Sequence, residues 1–196
     1  MKNIAKFFFE LGQLKKVKRS GWWLAGVKDP ESVAEHSFRA TIIARILAEM
    51  ENADVNKATT MVLFHDVPEA RINDLHKVGA RYIDFEKAEV ASLKEQVERL
   101  PKKIADEMAA LYKEMLQGKT KEAIIAKDAD LLECAIQAKE YLEQNYKDCE
   151  NWIYNVGKKL KTKSAKEILK LIKKTNSNSW WYGLKHIKPL LKNKPR

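Results

Sequence analysis

Leu63-Phe64-His65-Asp66-Val67-Pro68-Glu69 is the stretch that decides how this chain is read. It sets an imidazole beside a carboxylate and adds a second carboxylate, Glu69, three residues after Asp66. The apolar run Met61-Val62-Leu63-Phe64 leads straight into it, so the pair belongs to a mostly buried segment. An adjacent His-Asp pair on such a segment points to a metal site rather than to a surface. Two neighbouring side chains hold an ion only when other elements bring further ligands. The fold must therefore gather distant residues around this stretch.

Working outward, Asp54 can cap a helix over 55 to about 70 that ends in the opening stretch. Pro68 lacks a backbone donor, so a distortion near Phe64 is expected. Upstream, Ser32 followed by Glu35 has the capping-box pattern. The spacing predicts a helix over about 33–50 with the apolar stripe Ile42, Ile43, Ile46, Leu47 and Met50. His36 stands near its start, in line with Ala40, Ile43 and Leu47. Ile4, Phe7, Phe8, Leu11 and Leu14 recur at helical steps and predict a helix over 3–17, ended by Ser20-Gly21. Trp22, Trp23 and Leu24 fall in the loop that follows.

Downstream come a mixed segment over 71–82 and a charged helix over 84–99. The next helix starts at Pro101, runs to Met115 and is stopped by Gly118. The longest pattern runs over 120–146, followed by helices at about 149–161 and 164–175 and a last short one over 180–191. The fold class is all-α, a helical bundle with the site between its central helices. Only 7 Gly and 5 Pro agree with that reading. Residues 1–196 read as one domain, with a motif-bearing core over about 5–145 and the helices of 149–191 packed on it.

Cys134 and Cys149 are the only cysteines, with no CxxC, which fits a reducing, cytoplasmic setting. No run of about 18 apolar residues exists to span a bilayer, so no membrane partner is expected. The formal charge is +10. The basic residues are spread over helical patterns, and Lys158, Lys159, Lys161, Lys163, Lys166, Lys170, Lys173 and Lys174 select no single stripe. That favours solvated helix faces and a phosphate-bearing small molecule over a nucleic-acid polymer. Trp180-Trp181-Tyr182 reads as core packing or a subunit contact rather than a base-stacking platform.

Helical spacing places four candidate ligands on three helices: His36, the pair His65 and Asp66, and an aspartate of the long helix. Spacing alone leaves Asp128 and Asp130 open for the fourth position, although Leu131, Leu132 and Ala135 suit a site-facing turn at Asp130. Asp128 is otherwise read as a solvent-facing charge. Two imidazoles and two carboxylates suit a divalent ion with open water positions. The remaining histidines, His76 and His186, are few, so one ion is expected. Mn, Co, Fe, Ni or Zn fits this donor set better than Mg.

The order His, His-Asp, Asp resembles that of the HD-domain metal-dependent phosphohydrolases. Five separated pieces resemble its 5′-deoxynucleotidase branch. They are Arg19-Ser20-Gly21-Trp22, Pro30-Glu31-Ser32-Val33-Ala34-Glu35-His36-Ser37, His65-Asp66-Val67-Pro68-Glu69, Asn73-Asp74-Leu75 and Ala126-Lys127-Asp128-Ala129-Asp130. The resemblance places the fourth ligand at Asp130. It implies hydrolysis of a deoxyribonucleoside 5′-monophosphate to nucleoside and phosphate. Glu69 would then orient or deprotonate the attacking water. Asp74 matches the family's second essential carboxylate and would position that water or protonate the leaving O5′. Arg19 offers a planar fork for the phosphate. Trp22 matches a position that packs on the sugar and disfavours a 2′-hydroxyl, with burial of Trp22 or Trp23 on the core as the alternative. Lys77 is a further phosphate candidate. Relatives pair through helices, which implies a homodimer. Two other readings stand beside this one. One is an HD phosphohydrolase acting on a triphosphate or an alarmone. The other is a basic helical nucleic-acid-binding protein with a structural metal.

Overall fold

The computed structural model describes residues 1–184. The described chain is α-helical, with no strand and only an isolated bridge between Lys18 and Ser32. The α-helices are α1 Lys2–Leu11, α2 Val33–Met50, α3 Val55–Phe64, α4 Glu69–Ile72 and α5 Phe85–Val97. They continue with α6 Lys102–Gln117, α7 Lys121–Glu143, α8 Glu150–Lys159 and α9 Lys163–Lys174. No described helix is long and apolar enough to cross a membrane. The expected helix over 180–191 falls largely outside the described residues. Its described start, Ser179–Trp181, is a 3-10 turn. Trp180 there is 74% exposed and not part of this chain's core.

The long helix α7 is the axis of the bundle and packs against α2, α3, α6, α8 and α9. Its buried face carries Ala123, Ala126, Ala129, Leu132, Ala135 and Ala138, small residues that let neighbouring helices approach closely. Helix α2 answers with Ala40, Ala44, Leu47 and Ala48. This corrects the apolar stripe expected on α2. Leu47 is buried as expected and Ile43 packs partly on the core, but Ile42, Ile46 and Met50 are 45%, 51% and 51% exposed, and Ala40, Ala44 and Ala48 reach the core in their place. The caps follow the sequence. Ser32 and Glu35 close a full capping box at α2, and Asp54 and Thr120 accept from the third residue of α3 and α7. Such caps contribute roughly 0.5–2 kcal/mol each. Gly118 ends α6 in the left-handed region at φ 60°.

The predicted helix over 55–70 is broken. Helix α3 stops at Phe64, and His65 to Pro68 form a tight turn in which Val67 N–H donates to Phe64 O and Glu69 N–H to Asp66 O. Pro68 cannot donate, and its ring excludes the carbonyl a straight helix would place there. The carbonyls of the break are taken up by α5. Ser92 Oγ donates to Pro68 O and Gln96 Nε2 to Val67 O, both at 3.1 Å. Val67 also joins a second apolar cluster with Phe7, Leu93, Val97, Met108 and Tyr112. The turn that carries His65 and Asp66 is thus clamped by α5 and α6 from outside and by the alanine-rich core from within.

Candidate metal centre

The bridge between Lys18 and Ser32 sets the upstream chain beside the start of α2, with Arg19 N–H donating to Glu31 O at 3.0 Å. Arg19 lies between the 3-10 turn Gly12–Lys15 and the segment Ser20–Ala25, outside any α-helix. It reaches across the mouth of the site: Nη1 lies 3.3 Å from Asp74 Oδ1 and 3.5 Å from Asp66 Oδ2, and Nη2 lies 4.0 Å from Asp130 Oδ1.

The structure brings His36, His65, Asp66 and Asp130 to one point. His36 Nε2 is 3.2 Å from Asp130 Oδ1 and 3.6 Å from Asp66 Oδ2. His65 Nε2 is 3.2 Å from Asp66 Oδ1 and 3.9 Å from Asp130 Oδ1. Both rings are fixed through their other nitrogen. His36 Nδ1 meets Glu133, and His65 Nδ1 donates to Val62 O at 2.6 Å. Each ring therefore turns its Nε2 inward. His36 Nε2, His65 Nε2 and Asp66 Oδ2 are buried with no hydrogen-bond partner. Leaving such groups unsatisfied costs roughly 1–3 kcal/mol each, and a shared cation removes that cost at all three. The donor set of two imidazoles and two carboxylates fits a divalent ion of the borderline type.

The electrostatics agree with a site built for positive charge. Burial and Arg19 work against an imidazolium at His36, yet Asp130 and Glu133 outweigh them and hold it up at about 10. Burial opposes ionisation of Asp130, but both histidines and Arg19 keep its carboxyl well below the usual range. Glu69 goes the other way. Burial and the neighbouring Asp66 push its carboxyl well above the usual range against the pull of Arg19. Its Oε2 is buried and unpartnered. Although the helix does not continue from α3, the tight turn and the start of α4 still deliver Glu69 to the site.

Asp74 is set by Asn73, which sits at φ 61° and turns the chain sharply after α4. Its carboxylate accepts from Ser20 N–H at 2.5 Å and from Arg19 at 3.3 Å. Asp128 points away from the ligands. It is 1% exposed and accepts from Lys161 N–H, Thr162 N–H and the Thr162 hydroxyl, so the solvent-facing reading is corrected. Trp22 is the buried member of its pair, 2% exposed, while Trp23 is 53% exposed. Its ring packs on Tyr141 and Trp152 and its Nε1–H donates to Glu31 at 3.0 Å. The ring thus occupies the core position that stood as the alternative to a sugar contact. Lys77 is exposed, and its charge bears on Glu89.

Sequence reasoning missed Glu133, Arg39 and Cys134. Glu133 is fully buried and tied to His36 and Arg39, and Cys134 Sγ accepts from Arg19 Nη2 at 3.3 Å. A signal existed. Arg39 follows His36 by three residues and Glu133 follows Asp130 by three, so each shares a helix face with a ligand.

The family model described as HD domain matches residues 11–172. The 5′-deoxynucleotidase HDDC2 of Dictyostelium discoideum is 32% identical over 153 residues, covering 74% of this chain and 80% of that protein. The protein of the same name from Homo sapiens is 28% identical over 149 residues, covering 74% and 72%. Among solved structures, a conserved hypothetical protein from Pyrococcus furiosus superposes with a TM-score of 0.74 at 32% identity, over 87% of this chain and 99% of that one.

Proposed function

The chain belongs to the HD-domain family, and from that premise we propose that it is a 5′-deoxynucleotidase, a metal-dependent phosphomonoesterase releasing phosphate from deoxyribonucleoside 5′-monophosphates. One observation carries the reading. Three buried, unpartnered ligand atoms converge beside the buried Glu69 carboxyl, whose pKa burial and Asp66 raise, and an arginine at the mouth. The 5′-deoxynucleotidases of Dictyostelium discoideum and Homo sapiens supply the substrate class.

His36, His65, Asp66 and Asp130 would hold one divalent ion, with Mn, Co, Fe, Ni or Zn suited to the donors and Mg less so. Bound there, the ion supplies Lewis acidity to a phosphate oxygen and makes a water nucleophilic near neutral pH. Arg19 meets the incoming phosphate and orients it, since its guanidinium can exchange a carboxylate for a phosphate oxygen with the same fork geometry. Asp74 has both oxygens committed to Ser20 and Arg19, which suits it to holding the arginine. Glu69 keeps one oxygen free and so is the group suited to exchanging a proton with the attacking water or the leaving O5′. Trp22 acts on sugar choice through Glu31, whose carboxyl burial and Glu133 push up to about 7.

The chain is a single cytoplasmic domain in this reading. Pairing of two copies through α2 is supported by Phe38, Ile42 and Ile46, which line its outer face at four-residue steps and stay exposed. The activity is tested with EDTA-stripped protein reloaded with Mn or Co. It releases phosphate from dAMP faster than from AMP, and EDTA stops it. No release from any deoxyribonucleoside monophosphate rejects the reading.

A further inference from the structure

His36 has two working nitrogens, and the proposed function uses only Nε2. The far side of the ring is as carefully built. Nδ1 meets the Glu133 carboxylate, and both residues are fully buried. Glu133 Oε1 accepts from Arg39 Nε at 2.8 Å and lies 2.7 Å from Arg39 Nη2. Arg39 is pinned in turn: Nη1 donates to Glu140 and Nη2 to Gln137, each at 2.7 Å. Asp130, Glu133, Gln137 and Glu140 recur at three- and four-residue steps along α7, facing His36 and Arg39 at a three-residue step on α2. One helix pair therefore carries a ligand, its support and the support of that support in register.

The two imidazoles are not equivalent. His65 gives its Nδ1–H to the neutral carbonyl of Val62, whereas His36 faces an anion. A carboxylate on the far nitrogen fixes the tautomer, blocks a ring flip and makes Nε2 a better donor. We propose that Glu133 is the positioning residue of the metal centre: it holds His36 with its proton on Nδ1 and Nε2 aimed at the ion, and Arg39, Gln137 and Glu140 hold Glu133 in place. This rests on the reading that an ion sits among His36, His65, Asp66 and Asp130.

Glu133→Gln tests it. An amide of the same volume has one acceptor oxygen and cannot serve both His36 and Arg39, so its NH2 must face one of two donors. Zinc and cobalt affinities are measured by competition with a chromophoric chelator, with helicity checked by circular dichroism. The variant stays helical and binds each metal about 10–100-fold more weakly than wild type. A purely structural role lowers melting temperature but leaves the affinity of the folded protein at the wild-type value, and that result overturns the proposal. A second readout needs no variant. In zinc-loaded wild type, nitrogen-15 spectra of the histidines show His36 with a slowly exchanging, strongly downfield Nδ1 proton. Absence of that proton also overturns it. Wild type that binds no metal overturns the metal reading itself, an outcome distinct from wild-type affinity in the variant.

Discussion

Asp128 and Asp130 stand two residues apart on α7 and face opposite tasks, so exchanging their side chains one at a time separates structure from chemistry. Asp128 is 1% exposed, and its carboxylate accepts from Lys161 N–H at 3.0 Å, Thr162 N–H at 2.6 Å and Thr162 Oγ1 at 2.7 Å. It therefore fastens the chain at the entry to α9. Asp128→Ala leaves two backbone N–H groups without their partner, at roughly 1–3 kcal/mol each, while the Thr162 hydroxyl can turn elsewhere. A loss of about 2–6 kcal/mol follows, which for a chain of this length lowers the melting temperature by about 4–24 °C. Asp130→Asn removes a ligand but no helix anchor, so metal-free protein melts much closer to wild type. Calorimetry with and without metal reads both effects. Wild type and Asp128→Ala each gain about 2.7 kcal/mol at a free metal concentration 100 times Kd, and Asp130→Asn gains little at that concentration. If Asp128→Ala melts within about 3 °C of wild type, or if Asp128→Ala rather than Asp130→Asn loses the metal-dependent gain, the division of labour on α7 is wrong.

Glu69→Gln keeps the metal and loses about 10²–10⁴-fold in turnover, because only the proton-exchanging group is removed. Loss of metal in that variant, read by elemental analysis, would make Glu69 a ligand. Metal-free His36 is held at about 10, so over pH 6.5–9 each unit of acidification costs about tenfold in metal affinity as a proton competes for Nε2. Affinity that does not change across that range refutes the assignment. The same raised group stabilises metal-free protein fully below its unfolded value of about 6.5, and that contribution is lost as pH rises through about 10. Trp22→Phe keeps the ring in the core but drops the hydrogen bond to Glu31. The ratio of dAMP to AMP turnover then falls while metal affinity holds.

Much of the helical frame is written in its punctuation. Ser32 with Glu35, Asp54, Thr120, Pro101 and Gly118 each has a local mechanism that needs no tertiary context, and each marks an observed helix end. The face of α2 was harder to read because size misleads. Isoleucines at 42 and 46 look like the core, but the face buried against the bundle is Ala40, Ala44, Leu47 and Ala48. The break at Pro68 was legible, since a missing donor acts locally. The taking up of its carbonyls by Ser92 and Gln96 was not, because those partners lie more than twenty residues away. Asp128 fails for the same reason: its partners are 33 and 34 residues on. Trp22 and Trp23 sit in a 3-10 segment, Ser20–Ala25, where no helical period tells which ring is inside. The gathering of His36, His65, Asp66 and Asp130 was foreshadowed by order and spacing, whereas Glu133 waited for the structure to show a carboxylate behind a ligand.

Metal titration into stripped protein, with phosphate release from dAMP followed at each addition, decides whether one bound ion drives the hydrolysis. Activity should be absent at the start, rise in proportion to added Mn or Co, and level off at one equivalent per chain. Full turnover in stripped protein, or no turnover at saturating metal, would contradict the account.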